Sequence, residues 1–187
     1  MNEPRPFGSP ISPAEAVARA ASALAPSFRI ASPPSSGSVR LESDDPELPD
    51  VVLFLIRDRR LFSRTWPLVI EAVGDGSGPP RRTSLRLHRP RLRGSPGLRG
   101  EPDSDSWARR FAEAGLLAGA VTMTGIQDLR LTWAPEEGRW TLRLQTLAGA
   151  LVGTAPGSSI AVPLGPDDVD GLLQILRAFR RALATPA

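Results

Sequence analysis

The sequence predicts an α+β domain in which helices pack on one face of an antiparallel sheet. Strand-like segments come in groups of four and three, with helix-like segments before, between and after them, in the order α-β4-α-β3-α. The clearest observation is the stretch DLRLTWAPEEGRWTLRLQ, where leucine and tryptophan alternate with polar residues on both sides of a turn. Such alternation is typical of a hairpin with one buried and one solvated face. The segments together predict about six to seven strands.

The length of 187 residues favours one domain over two. We predict a disordered N-terminus over residues 1–11, a single domain over 12–184 and a short tail at 185–187. The first helix begins at SPAE, where Ser12 is positioned to cap it and Glu15 stands three residues later, as in a capping box. Small apolar residues then recur at helical spacing up to the proline that follows SALA.

Four strands are predicted between the first and second helices. SVRLES, VVLFLI and PLVIEAV supply three of them, and the unbroken apolar run at 51–56 favours a strand covered on both sides. In TSLRLHR the leucines face inward, while Ser84, Arg86 and His88 face outward. Pro90 cannot donate a hydrogen bond to a sheet, so this strand ends there or lies at an edge. The stretch GDGSGPP between the last two strands is predicted as a turn.

The second half of the chain begins with a predicted loop over residues 90–104, rich in Arg, Gly, Pro and Ser. A helix follows from Ser104 or Asp105, and then the hairpin, whose second strand is expected to continue through LAGALVG with Gly149 as a bulge. SSIAVPL supplies the last strand. The final helix, GPDDVDGLLQILRAFRRAL, has acidic residues near its N-terminus and arginines near its C-terminus, as the helix dipole favours. This order of elements resembles that of small secretion chaperones, whose sheets hold client segments.

Composition constrains the compartment and excludes several chemistries. The chain has no cysteine, which excludes disulfides, a thiolate nucleophile and cysteine-bound metal. The N-terminus MNEPRPFGSP lacks the apolar run of a secretory signal, and the longest apolar run is too short to span a bilayer. We therefore expect a cytoplasmic protein. All 23 basic residues are arginine, beside 20 prolines and 17 glycines, a bias typical of a GC-rich bacterial genome rather than of one function.

No catalytic, metal-binding or cofactor-binding constellation is recognisable, so we predict a protein that is not an enzyme and needs no cofactor. His88 is the one histidine, and an exposed strand histidine is the favoured interpretation. GSSIA at 157–161 departs from a nucleophile elbow in its last residue and precedes a strand instead of following one. Five clustered carboxylates lack the spacing of a calcium loop and are interpreted as a solvated loop. These are Glu42, Asp44, Asp45, Glu47 and Asp50.

The stretch RRTSLRLHRPRLRG at 81–94 stands out because six of its residues are arginine and none is acidic. The leading hypothesis is that the chain binds an acidic protein partner through this edge and loop, by electrostatic contacts alone. The residues proposed to make those contacts are Arg86, Arg89, Arg91 and Arg93.

Three other interpretations compete with this hypothesis. The same arginines could bind nucleic acid nonspecifically, although no aromatic residue for base stacking lies among them. Genomic bias alone could have produced a solvated, charge-blunted sheet edge. The chain could instead carry an apolar small molecule between the sheet and the last helix, with Trp133, Trp140 and Phe179 lining the pocket.

Overall fold

A computed structural model describes residues 11–32, 37–57, 65–88, 95–101, 104–155 and 158–184. They form four helices and a nine-stranded antiparallel sheet, which confirms the predicted α+β class. The helices are Pro13–Leu24 (α1), Asp105–Glu113 (α2), Leu116–Thr122 (α3) and Pro166–Ala184 (α4). The strands are Arg29–Ile30 (β1), Ser38–Glu42 (β2), Val51–Leu55 (β3), Thr65–Asp75 (β4), Thr83–His88 (β5), Gly97–Arg99 (β6), Ile126–Ala134 (β7), Arg139–Ala155 (β8) and Ser158–Ala161 (β9).

The strands follow the spatial order β1-β2-β3-β4-β8-β7-β5-β6, and β9 pairs with the far end of β8. The sheet has two strands more than predicted, because β1 and β6 are only two and three residues long and too short to show alternation. β6 lies inside the stretch 90–104 that was expected to be a loop. The second helix is divided into α2 and α3 at Gly115, whose φ of 97° lies in the left-handed region that favours glycine.

Several parts of the sequence-based description lie outside the described residues. These are residues 1–10 of the expected disordered N-terminus, the tail at 185–187, and residues 89–94 and 102–103 in and beside the expected loop. Ile11 is described, and its carbonyl accepts a hydrogen bond from Ser159 Oγ at 2.8 Å.

The helices pack on one face of the sheet, and the register shows why that face is apolar. Leu53, Ile70, Leu144 and Leu129 stand directly opposite one another on four adjacent strands, and all four are fully buried. α1 packs on β2, β3 and β8, while α4 packs on β4. β3 has a strand on each side, but Val52 at its other face is 36% exposed, so the prediction that both faces of β3 are covered was wrong. The reason is that every described helix lies on the opposite side.

Helix ends and close contacts hold this layer together. Ser12 caps α1 as predicted, with its Oγ accepting from the Glu15 amide at 3.1 Å. Asp168 near the start of α4 accepts from the amide and hydroxyl of Thr124, both at 2.9 Å, and so ties α4 to the segment after α3. α3 and α4 cross where Gly119 meets Gly171, since a Cβ on Gly119 would lie 2.6 Å from the Gly171 carbonyl oxygen.

The predicted continuation of the hairpin's second strand is confirmed. β8 runs for 17 residues, and its register with β4 shifts between Trp66 and Leu68. Gly149, expected to form a bulge, lies in that shifted part of β8 with a φ of 80°. Among the described residues, no helix is both long and apolar enough to cross a lipid bilayer.

Candidate functional site

One face of the sheet packs against the helices, and we call the other face the open face. Because side chains alternate along each strand, the outward-facing charged residues lie on this open face. No described helix covers it. Polar and charged residues occupy it on β5, β7 and β8, whereas valine and phenylalanine occupy much of it on β3 and β4. The open face therefore carries a short apolar region on β3 and β4, which lies between charged positions on β2 and the charged positions on β5, β7 and β8.

Four arginines stand side by side across β6, β5, β7 and β8. Arg99 on β6 is directly opposite Arg86 on β5, which is opposite Arg130 on β7, which is opposite Arg143 on β8. Adjacent strands lie about 4.8 Å apart, so this set, the arginine row, spans about 14 Å. All four side chains are exposed or half-exposed.

One carboxylate is inserted into the arginine row. Asp128 accepts from Arg86 in a bidentate pair, with Nε to Oδ1 at 2.8 Å and Nη2 to Oδ2 at 3.1 Å. Its Oδ2 also lies 3.8 Å from Arg130 Nη2. The hydrogen bond from Arg86, and then the negative charge, raise the pKa of Arg86 above its ordinary value. Arg86 is therefore cationic at any physiological pH.

The positive charges at the two ends of the arginine row, Arg99 and Arg143, have no carboxylate among the described residues as close as Asp128 is to Arg86. Arg143 faces Glu71 across the β4–β8 pairing, and its guanidinium carbon lies 5.6 Å from the centre of the Phe54 ring. Within the described ranges, neither Arg99 nor Arg143 forms an ion pair. Like charges directly opposite one another on neighbouring strands are destabilising, so we expect the row to lower the stability of the sheet wherever Asp128 does not offset the repulsion.

Sequence patterns found one of these four arginines. Arg86 was predicted to face outward from its strand and does, with its side chain 60% exposed. The other predicted contacts, Arg89, Arg91 and Arg93, lie outside the described residues. Arg99, Arg130 and Arg143 were missed because their strands are distant in sequence. The sequence does indicate that these arginines point outward from alternating strands. Only the order of the strands in the sheet shows that they lie side by side.

The aromatic residues predicted to line a pocket lie in the core. Trp133, Trp140 and Phe179 are all buried, and the rings of Trp133 and Trp140 are 5.5 Å apart. Phe111 of α2 lies between Trp140 and Phe179, with ring centres 5.2 and 6.2 Å away. Trp107 packs on Trp140 at 5.4 Å. These contacts form one interlocked aromatic cluster between sheet and helices.

The stretch GDGSGPP packs against two tryptophans of that cluster. The Trp133 indole donates to the Pro79 carbonyl at 2.7 Å, and the Trp140 indole donates to the Ser77 carbonyl at 2.9 Å. A Cβ on Gly78 would lie 2.2 Å from the Trp133 ring. The glycine there serves close packing against a tryptophan. Residues 76–80 connect β4 to β5, whereas Gly74 and Asp75 of the predicted turn belong to β4.

Three of the five clustered carboxylates at 42–50, which we call the acidic loop, form ion pairs within the chain. Its partners come from β1, β2 and α4: Arg29 Nη2 lies 3.0 Å from Glu42, Arg40 Nη2 lies 3.2 Å from Asp50, and Arg177 Nη2 lies 3.5 Å from Asp45. Across the part of the chain that the structure describes, no three His, Cys, Asp or Glu side chains form a group that could hold a metal ion.

Two clefts lie beside this loop, near the helices. A cleft of about 470 Å³ is bordered by the end of α1 and by Asp44, Asp45 and Arg177. Another, of about 420 Å³, lies along the C-terminal end of α4 beside Glu47 and Asp75. Charges of both signs line each cleft, so neither selects a ligand as clearly as the arginine row does.

His88 lies in β5, and the described part of GSSIA lies in β9; these two strands do not pair with one another, and Gly157 lies outside the described residues. His88 is exposed at the end of β5, opposite Gly97 of β6. The serines of GSSIA that the structure describes belong to β9, which pairs with β8. Both positions agree with the strand assignments made from the sequence.

No protein-family model matches the chain, and no match was found among curated proteins or solved structures. Function is therefore inferred from the geometry of the open face.

Proposed function

We propose that this protein is a non-enzymatic binding protein that holds an acidic protein partner on its open face, through the arginine row. The observation that carries the proposal is the register of Arg99, Arg86, Arg130 and Arg143 on four adjacent strands. Arg89, Arg91 and Arg93 follow β5 in the chain, and we propose that they also bind the partner. The cytoplasmic location expected from the sequence is part of the proposal.

The energetics of the sheet support an anionic partner. Arginines that face one another across strands repel, and the strands keep their Cβ atoms about 5 Å apart. A partner that brings carboxylates to these positions removes that repulsion and forms charge-assisted hydrogen bonds. The bidentate contact of Asp128 with Arg86 is an example, within the chain, of the geometry that a partner's carboxylates would adopt.

A protein partner is favoured over nucleic acid by the position of the aromatic rings. Proteins that bind single strands stack bases on exposed aromatic side chains. The aromatic side chains of the described residues are all buried or half-buried, and the half-buried ones are Phe54 and Trp66. Nonspecific binding of nucleic acid through the same arginines is the alternative, and one experiment distinguishes the two.

The carrier hypothesis gains no support from the described residues. The rings of Trp133, Trp140 and Phe179 contact one another or share Phe111 as a neighbour, so a ligand between them would have to displace core contacts. Native mass spectrometry of the purified protein tests it, since a bound apolar molecule would appear as added mass.

The experiment compares two variants with the same change of net charge. In the row variant, Arg86, Arg130 and Arg143 are each replaced by Gln. In the helix-side control, Arg19, Arg109 and Arg180 are each replaced by Gln; these three are exposed arginines on α1, α2 and α4. Binding of a labelled glutamate-rich peptide is measured by fluorescence anisotropy, beside a neutral peptide and a random single-stranded oligonucleotide.

The proposal predicts that the glutamate-rich peptide binds wild type and control alike, and that the row variant binds it at least about tenfold more weakly, as expected for the loss of several charged contacts. If both variants bind the peptide equally weakly, net charge alone explains the loss of affinity, and the proposal is contradicted. Tighter binding of the oligonucleotide than of the peptide would favour the nucleic-acid alternative instead.

A further inference from the structure

We propose that the partner is an amphipathic segment, with carboxylates for the arginine row and apolar side chains for a neighbouring strip of the same face. This inference rests on the proposed function and specifies its partner. The apolar strip consists of Val52 and Phe54 on β3 and Val73 on β4. Val52 and Val73 are 36% and 46% exposed, and Phe54 is half-buried.

The register makes the strip and the row parts of one surface. Val52 is directly opposite Glu71 on β4, and Glu71 is directly opposite Arg143 at the end of the row. The guanidinium of Arg143 also lies over the Phe54 ring, 5.6 Å from its centre, so charged and apolar parts are in contact. Val69, opposite Phe54, is fully buried beside the strip.

The dimensions of this surface set the size of the segment. From Arg99 on β6 to Val52 on β3 there are five steps between neighbouring strands. At about 4.8 Å a step, the distance is about 24 Å. About seven residues of extended chain, or about 16 residues of helix, cover that distance. One short linear segment can therefore contact the row at one end and the strip at the other.

Charge decides between a foreign partner and a second copy of this chain. In a two-fold dimer through this face, each arginine row lies either on the other copy's row or on the other copy's apolar strip, and neither of these carries a net negative charge. Like charges brought together at an interface are strongly unfavourable. A partner with carboxylates opposite the row satisfies the charges and covers the valines in the same step.

The test uses two labelled peptides with the same glutamate-rich half. In the first peptide the other half is rich in leucine and valine, and in the second it is serine and glycine. Both are titrated into wild type, into the double variant Val52→Thr with Val73→Thr, and into Val121→Thr as a control. Threonine keeps the shape of valine, and Val121 is 66% exposed on α3, away from the open face.

We expect the apolar peptide to bind wild type about fivefold more tightly than the serine peptide, as burial of two partly exposed valines allows. The double variant should remove this difference and keep the affinity for the serine peptide, which also shows that the row remains folded. Val121→Thr should change neither value.

Equal binding of both peptides to wild type, with the serine peptide bound, would overturn this inference and leave the proposed function standing. Failure of wild type to bind either peptide would contradict the proposed function and this inference with it. Sedimentation provides the remaining outcome, since a dimer that dissociates in the double variant would assign the strip to a second copy and overturn the inference.

Discussion

Arg130 has a like-charged neighbour on each side, because it faces Arg86 on β5 and Arg143 on β8. If the row serves binding and lowers the stability of the sheet, replacing its central arginine should stabilise the protein. We predict that Arg130→Thr increases the free energy of unfolding in low salt. Threonine is the appropriate replacement because it is well suited to strands.

The size of the effect follows from Coulomb's law. With charges about 7 Å apart in water, each like-charged pair costs about 0.6 kcal/mol, so Arg130 accounts for about 1.2 kcal/mol. The variant also loses the contact of Arg130 with Asp128 at 3.8 Å. The same law gives about 1.1 kcal/mol for this attraction, and the entropy cost of fixing both exposed side chains leaves about 0.5 kcal/mol. The net stabilisation is therefore about 0.7 kcal/mol when screening is weak.

Urea unfolding at two salt concentrations measures this prediction. At about 0.01 M salt the screening length is about 30 Å and the stabilisation should be full, whereas at about 1 M it is about 3 Å and little should remain. Arg139→Thr is the control, because Arg139 pairs with Glu137 at 3.4 Å and faces Asp75 across the sheet. It should be neutral or destabilising. A loss of stability in Arg130→Thr at low salt would show that repulsion among the arginines of the row does not destabilise the sheet.

Three further predictions concern the row and its scaffold. Asp128→Asn should free the row for an external carboxylate and tighten binding of the glutamate-rich peptide about threefold in low salt, as measured by anisotropy; unchanged or weaker binding would count against the row as the site. Gly119→Val should lower stability by about 3 kcal/mol, since its side chain would collide with Gly171 where α3 and α4 cross; thermal unfolding measures this, and a neutral result would show that the helices do not touch there. Asp168→Ala should cost about 2 kcal/mol, because two part-buried hydrogen bonds from Thr124 to a carboxylate are lost, and a melting temperature equal to wild type would contradict those hydrogen bonds.

Sequence patterns predicted the parts of the fold that follow from local rules. The alternation around Trp133 and Trp140 predicted β7 and β8, and Ser12 predicted the start of α1. β1 and β6 were missed because two or three residues show no period, and the interruption after α2 was missed because Gly115 resembles any glycine in a helix.

The candidate site could be predicted only in part, for a different reason. Arg86 and its outward direction follow from alternation on one strand. The row depends on β5 pairing with β7, and β7 with β8, and the position of Arg99 depends on β6, which has no pattern of its own. A surface assembled from four strands is a property of their pairing order, and composition contributes only the abundance of arginine.

An NMR titration that follows the arginine side chains themselves shows whether the arginine row binds an acidic partner. The protein is labelled with ¹⁵N, the Nε–H signals of Arg86, Arg130 and Arg143 are assigned with single Gln variants, and the glutamate-rich peptide is added. We predict that these signals, and the backbone amides of β5, β7 and β8, shift together and saturate, while the signals of Arg19 and Arg180 on the helices stay in place. Shifts confined to the helices, or a row that does not respond to saturating peptide, would contradict it.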